Sequence, residues 1–285
     1  MSKSTITSVA ELASFLRTEH ELLGAQFEFF EELESELPIA YAGVDETAAL
    51  RTDIGLIDLS GMSVTLIAGP VAQPFIEMVC AGRKLAVGEA LFEPVLAGDA
   101  SLISIPLLLR TGDSEYLLCD VSPRASLLDA WLHFIATAQQ NGSAPFKEIQ
   151  LEDASFELVP LLLAGPGANL VLSDYLAGEV PTTGQVRSLE LDKIRCLVTS
   201  LPKPFDKAYL VMVPPHYVRV LWRSFLSFTR VNPVGRTVLF AQAEQMMPWV
   251  SWLHSTERIK KSAQELQTLN LLRQESDFIG ARALD

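Results

Sequence analysis

A β-rich run that ends in Gly-Pro and passes straight into a helix-like run occurs twice in this chain, and no other feature restricts its architecture as much. The first copy is Ser63-Val-Thr-Leu-Ile-Ala-Gly69-Pro70, followed by helical spacing through Cys80. The second runs from Phe156 through Gly165-Pro166 into a helical pattern that ends near Tyr175. Glycine permits the sharp exit from a strand, and proline presets the first helical turn. The copies stand roughly 95 residues apart, a spacing that suits a duplicated αβ half and not a solenoid. Chance recurrence of a common strand–turn–helix unit is the alternative.

The segments around the two copies also correspond. Leu102 to Arg110 and Glu115 to Asp120 read as a hairpin, and Ser122-Pro123 opens a helix carrying Leu127, Leu128, Trp131, Phe134 and Ile135. In the second half, Ser188 to Leu201 reads as one strand, Tyr209 to Val213 as another, and Val218 to Phe228 as a helix. Ahead of both, Ser8-Val-Ala-Glu11 has capping-box spacing for an N-terminal helix. Thr47 to Arg51 suggests a short helical turn before the apolar segment Ile54 to Ser60. The expected architecture is a single α+β domain over 1–285, with halves of about 1–142 and 146–275 joined near Asn141-Gly-Ser-Ala-Pro145.

Charge narrows the partners. The formal net charge is −13, and residues 1 to 50 carry ten Asp or Glu against Lys3 and Arg17. Such a surface repels phosphate backbones and anionic lipid heads, so neither nucleic acid nor a membrane surface is expected. No run reaches the roughly 20 apolar residues of a membrane helix, and no basic-then-apolar leader opens the chain. Cys80, Cys119 and Cys196 lie far apart in apolar runs, which predicts buried free thiols, no zinc site and a cytoplasmic protein.

Local catalytic motifs are missing. There is no phosphate loop, G-x-G-x-x-G, G-x-S-x-G or H-E-x-x-H, and His20, His133, His216 and His254 are scattered. His133, beside Trp131, reads as a partly buried helix histidine with a satisfied ring. Trp249 and Trp252 read as packing residues. These residues alone specify a soluble α+β domain.

An ordered set of segments is more informative. Tyr41-Ala-Gly43, Glu46 and Ala48-Ala-Leu-Arg51 lead into Gly55-Leu-Ile-Asp-Leu-Ser-Gly-Met62. Both strand–Gly-Pro–helix units follow, then Pro233-Val-Gly235, Glu244 and Asp277-Phe-Ile-Gly-Ala-Arg-Ala-Leu284. Together they resemble the glycine-cleavage T-protein (aminomethyltransferase, GcvT-like) family across nearly the whole chain. The resemblance implies a folate-binding domain of two related αβ halves around a central funnel. Tetrahydrofolate would be the cofactor there and would receive a one-carbon unit from a small amine-bearing donor. A C-terminal β-barrel domain normally follows, and the chain stops where it would begin, so a separate barrel-bearing or flavoprotein subunit is an expected partner.

The resemblance also points to site residues, several of them altered. The family's Asp-Asp pair falls on Ser104-Ile105, its tyrosine on Phe92 and its asparagine near Val121. Its R-x-x-Y-T-G-E stretch falls on Ser200 to Asp206, and its R-x-E on Gln242-Ala-Glu244. Asp206 and Glu244 are the acids left to hold a pterin-like ring, and each also reads as a plain surface or structural carboxylate. Gln242, Phe92, Met62 and Tyr209 complete the cofactor-contacting positions that the resemblance implies, and no catalytic residue is assigned. Ile105, Phe92 and Val121 would give an apolar wall.

Two functions fit this pattern. One is a tetrahydrofolate-dependent aminomethyl or methyl transferase, or demethylase, with an altered pocket. The other is a catalytically degenerate folate-binding or assembly subunit of a larger one-carbon or amine-oxidising enzyme. The family's iron–sulfur maturation branch carries K-G-C-Y-x-G-Q-E, and that motif does not occur here.

Overall fold

The computed structural model describes residues 6–139, 142–176, 178–202, 207–255 and 257–284. Helices are interleaved with mainly antiparallel sheets, an α+β arrangement. The chain forms two compact units, Met1–Met62 with Ser155–Met246, and Ser63–Ala154 with Met247–Asp285. Their limits differ from the contiguous halves 1–142 and 146–275. The cause lies in strand pairing: Ile54–Asp58 pairs with Val159–Ala164 and so joins the N-terminal stretch to the later one.

In the first unit a six-stranded sheet runs in the order Val186–Leu191, Ile194–Ser200, Ala208–Val213, Val159–Ala164, Ile54–Asp58, Val231–Pro233. Only the last pair is parallel. Ala208–Val213 and Val159–Ala164 are buried at every position, as centrally placed strands covered on both faces must be. The helices Val9–Leu22 and Pro215–Leu226 supply Leu12, Leu16, Trp222 and Phe225 to the same core. Ser8 caps the first helix by accepting from the Glu11 N–H, but the Glu11 carboxylate takes the Thr7 N–H at 2.8 Å, so the expected capping box is only half formed.

In the second unit a five-stranded antiparallel sheet runs Gln150–Asp153, Ser63–Ala68, Glu115–Asp120, Leu107–Gly112, Ala90–Phe92. The helices Ala72–Val79 and Ala125–Thr137 pack Phe75, Ile76, Leu128 and Leu132 into the core. A small sheet joins Ile259–Lys260, Ser101–Ser104 and Val95–Leu96.

Both Gly-Pro turns are built alike. Gly69 and Gly165 have φ of 113° and 130°, a region that L side chains avoid. In each turn the glycine carbonyl accepts the N–H three residues on, from Ala72 and from Ala168, at 3.0 Å. The repeat seen in the sequence is thus a repeat of backbone geometry, one copy in each unit.

Several expectations are corrected. Leu102 to Arg110 is not one strand, because Pro106 cannot donate to a ladder and the chain changes sheets there. Ser188 to Leu201 is a hairpin whose turn residues Asp192 and Lys193 have φ of 50° and 64°, the left-handed values of a type I′ turn. The Ala125–Thr137 helix buries a narrower face than expected: Leu127 and Phe134 are exposed. His133 is exposed too, paired with Asp129.

Candidate functional site

The first unit contains a cavity of about 330 Å³, within the range of small-molecule sites. Four pieces of chain line it. Leu50 and Arg51 come from the helix Glu46–Thr52, Ala164, Gly165 and Pro166 from the second Gly-Pro turn, and Lys207 and Ala208 from the start of a central strand. The helix Arg236–Met246 contributes Leu239, Gln242 and Met246, which share one face at spacings of three and four residues. The turn requires glycine at 165, because a Cβ there would collide with the Asp53 carbonyl. The Gly165 N–H donates to the Lys207 carbonyl at 3.2 Å, tying two walls together. Lys207 itself has φ of 55°, a conformation that costs a non-glycine residue on the order of 1 kcal/mol.

The wall is apolar at Leu50, Leu239 and Ala208, with a half-buried amide at Gln242 and two exposed cations, Arg51 and Lys207. Such a surface can take a planar or aliphatic body with hydrogen-bonding and anionic groups at its end.

A buried polar chain lies elsewhere in this unit. The Tyr41 hydroxyl is 2.7 Å from His20 Nδ1, and His20 Nε2 is 3.1 Å from Asp58 Oδ2. Asp58 Oδ1 accepts from both the N–H and the hydroxyl of Ser60, at 2.8 and 2.7 Å, and the Arg236 guanidinium donates to the Ser60 carbonyl. Burial pushes the Asp58 carboxyl up, but His20, Arg236 and Ser60 together hold it below the usual aspartate range. Burial, with the charges of Asp58 and Glu46, pushes the Tyr41 phenol far up, so it keeps its proton. None of these residues lines the cavity, and the chain ties the N-terminal helix to the sheet.

The second unit holds the position at which the resemblance implied a carboxylate. Ser104 is wholly buried, and its hydroxyl donates to Asp120 Oδ2 at 2.5 Å. Asp120 Oδ1 accepts the Ser122 N–H at 2.8 Å. Burial raises the Asp120 carboxyl, while Ser104, Ser122 and the nearby charge of Arg124 oppose the rise. Ile105 is buried and Val121 exposed, so they lie in different environments. Phe92 packs against Trp249 with ring centroids 6.0 Å apart.

The expected site residues are distributed as follows. Gln242 lines the cavity; Glu244, two residues further on, is exposed. Tyr209 is buried in the core of the first unit and Met62 is buried in that unit as well. Phe92 belongs to the second unit. Asp206 lies outside the described residues. Sequence reasoning noted Arg51 only as part of a motif and missed Lys207, although it adjoins Asp206. The His20–Asp58 pair carried no signal, since the two residues are far apart in sequence. Among the described residues no group of three His, Cys, Asp or Glu side chains is placed to hold a metal, and no helix is long and apolar enough to cross a membrane. All three cysteines are buried and unpaired.

Residues 16–251 match the family described as the GCVT N-terminal domain. The chain is 24% identical over 277 residues to an aminomethyltransferase of Rubrobacter xylanophilus, covering 94% of this chain and 70% of that protein. Against the aminomethyltransferase of Desulforamulus reducens the identity is 23% over 210 residues, 70% of this chain and 54% of the other. The structure of the glycine cleavage system aminomethyltransferase T from Bartonella henselae superposes with a TM-score of 0.71 at 22% identity, over 94% of this chain and 72% of that one.

Proposed function

The chain belongs to the GCVT N-terminal domain family, and on that premise we propose that it binds a reduced folate and takes part in tetrahydrofolate-dependent transfer of an aminomethyl or methyl group through an altered pocket. The observation that carries this reading is the position of Gln242 on the wall of the cavity in the first unit. The donor set there suits a folate: apolar side chains for a ring, an amide for a polar edge, cations for carboxylates. When bound, tetrahydrofolate supplies the nitrogen that accepts the one-carbon unit. The chain's own residues would hold it through Gln242, Arg51 and Lys207, and Leu50 and Leu239 would keep water from that wall.

Titration calorimetry with tetrahydrofolate and its 5-methyl form tests this reading. Micromolar binding, weakened about tenfold by Gln242→Ala through loss of one buried hydrogen bond, is the expected result. No heat with either form rejects it.

A second reading is favoured by Ser104 and Ile105. Neither supplies the carboxylate that the family resemblance implies, and the Ser104 hydroxyl is committed to Asp120. Loss of a positioned acid or base typically removes a factor of roughly 10² to 10⁴ in rate. On this reading the chain is a folate-binding or assembly subunit, with a barrel-bearing or flavoprotein subunit as partner. Folate binding without transfer from any amine donor in a single-turnover assay would select it.

A further inference from the structure

Residues 271–284 lie across the second unit as a strap. The stretch 271–280, described throughout, forms neither helix nor strand, and side chains hold it in place. The Arg273 guanidinium donates to the carbonyls of Glu77, Cys80 and Gly82 at 2.5, 2.5 and 3.0 Å, and the Arg273 N–H donates to the Ala81 carbonyl at 3.0 Å. Asp277 pairs with Lys84 and Arg273 at 2.8 and 2.7 Å. Leu271 and Phe278 are buried. The loop 80–84 thus carries the strap. Glu93 lies against the same loop: its carboxyl occupies the space that a Cβ on Gly82 would fill. It is buried, and neither oxygen has a partner of good hydrogen-bond geometry. Gly82 is shared between the two, its amide a nearby donor to Glu93 and its carbonyl an acceptor for Arg273.

We propose that Glu93 is a proton-controlled pin for this strap. As the neutral acid it lets the loop 80–84 close over it and present the carbonyls that Arg273 holds. As the carboxylate it draws water in, loosens the loop and frees the strap, uncovering Leu271 and Phe278. A buried acid without a well-placed donor is tolerated in its neutral form and costly as an anion. Burial pushes the Glu93 carboxyl up to about 8, against the pull of the Gly82 amide, Arg273 and Arg83. Other groups around the loop are held away from neutrality. Asp277 and Glu77 raise the Lys84 ammonium, Lys84 and Arg273 bring Asp277 down to about 2, and Arg83 lowers Glu89. Burial pushes the Cys80 thiol and the Tyr116 phenol up.

Hydrogen exchange of the full chain, read by mass spectrometry on peptides covering 271–284, tests the proposal. Wild type is compared with Glu93→Gln at equal pH, so that intrinsic exchange chemistry cancels in the ratio. Opening hydrates the carboxyl and returns it to its ordinary value near 4.5, so one proton leaves on opening between that pH and about 8. The ratio of wild type to variant is expected to rise about tenfold per pH unit from pH 5.5 to 7.5 and to level off above pH 8. Low urea is expected to leave strap exchange unchanged while it speeds that of the strand Glu115–Asp120, the mark of a local opening. Arg273→Lys keeps the charge without the fork and is expected to speed strap exchange even at pH 5.5. If Glu93→Gln does not fold, a free peptide of residues 271–284 becomes the reference for wild type, and the same slope is expected. A ratio that stays flat with pH overturns the proposal. So does strap exchange that follows the urea dependence of Glu115–Asp120, or an Arg273→Lys strap as protected as that of wild type at pH 5.5.

Discussion

The hydroxyl of Ser104 lies 2.5 Å from the Asp120 carboxylate, and the two residues are 0% and 5% exposed. Where the family resemblance implies an acid, this chain places a donor that solvates a different acid, sixteen residues later. Ser104→Ala removes that donor and leaves Asp120 Oδ2 inside the unit without it. The expected loss of stability is about 2 kcal/mol at pH 7. Burial has already raised the Asp120 carboxyl, and its stabilising contribution is therefore fullest at low pH and lost as pH rises through the folded value. Losing a donor to the charged form raises that value further. The deficit of the variant, read from urea midpoints, should grow from pH 4 to pH 8, and a constant deficit would show that the ionised form does not depend on Ser104.

Glu46 joins two motifs that are distant in sequence. Its carboxylate accepts the Tyr41 N–H at 2.5 Å and the Gly235 N–H at 3.1 Å. Gly235 has no room for a side chain, because a Cβ there would collide with the Ile39 carbonyl, a backbone atom that cannot swing aside. Gly235→Ala is expected to cost about 3 kcal/mol, and Glu46→Gln less, since the amide keeps one acceptor. Thermal unfolding of both variants checks the order. An alanine variant as stable as wild type would mean that the loop at Gly235 can shift.

The Gly-Pro repeat was legible because its cause is local: φ above 100° at Gly69 and Gly165 demands glycine, and the following turn favours proline. The strands Val159–Ala164 and Ala208–Val213 were legible as apolar runs for the same reason that they are buried throughout. The Asp192-Lys193 turn was not, since Asp192 suits the first left-handed position but Lys193 stands where glycine usually marks the second. The exchange of stretches between units was hidden as well, because the pairing of Ile54–Asp58 with Val159–Ala164 links residues about a hundred positions apart. At the candidate site only Gln242 was anticipated. Arg51 and Lys207 come from separate elements, and nothing in either local sequence says that their side chains face one cavity.

His20 is 1% exposed and stands between Tyr41 and Asp58. His20→Phe would roughly keep the ring volume beside Trp222, whose centroid is 4.9 Å away, but would strip Asp58 of a partner. Leaving a buried carboxylate without one of its hydrogen-bond partners costs about 1 to 3 kcal/mol. In wild type the Asp58 carboxyl is held below the ordinary aspartate range, so its contribution is present at neutral pH and lost as pH falls through the depressed folded value. The penalty of His20→Phe should accordingly be greatest near pH 7 and shrink below pH 4. Denaturant titrations at pH 7 and pH 3.5 decide the matter, and a penalty larger at pH 3.5 would contradict this assignment.

Glu93 presents the opposite sign. It is 1% exposed, and neither carboxyl oxygen has a partner of good hydrogen-bond geometry, the Gly82 amide being a nearby donor. Burial pushes its carboxyl up to about 8, while the Gly82 amide and the charges of Arg273 and Arg83 pull weakly the other way. The carboxyl lies so close to Gly82 that a Cβ there would overlap it, which explains the glycine. With a folded value near 8 and an unfolded value near 4.5, the fold is most stable below pH 4.5 with respect to this group and loses stability as pH rises to about 8. Glu93→Gln preserves the shape and cannot ionise. It should raise stability by about 4 kcal/mol at pH 8.5 and by close to nothing at pH 4, where wild type carries the proton in both states. If the variant is instead equally or less stable at pH 8.5, Glu93 ionises inside the fold without penalty, and a donor or cation must reach it from Arg273 or Arg83.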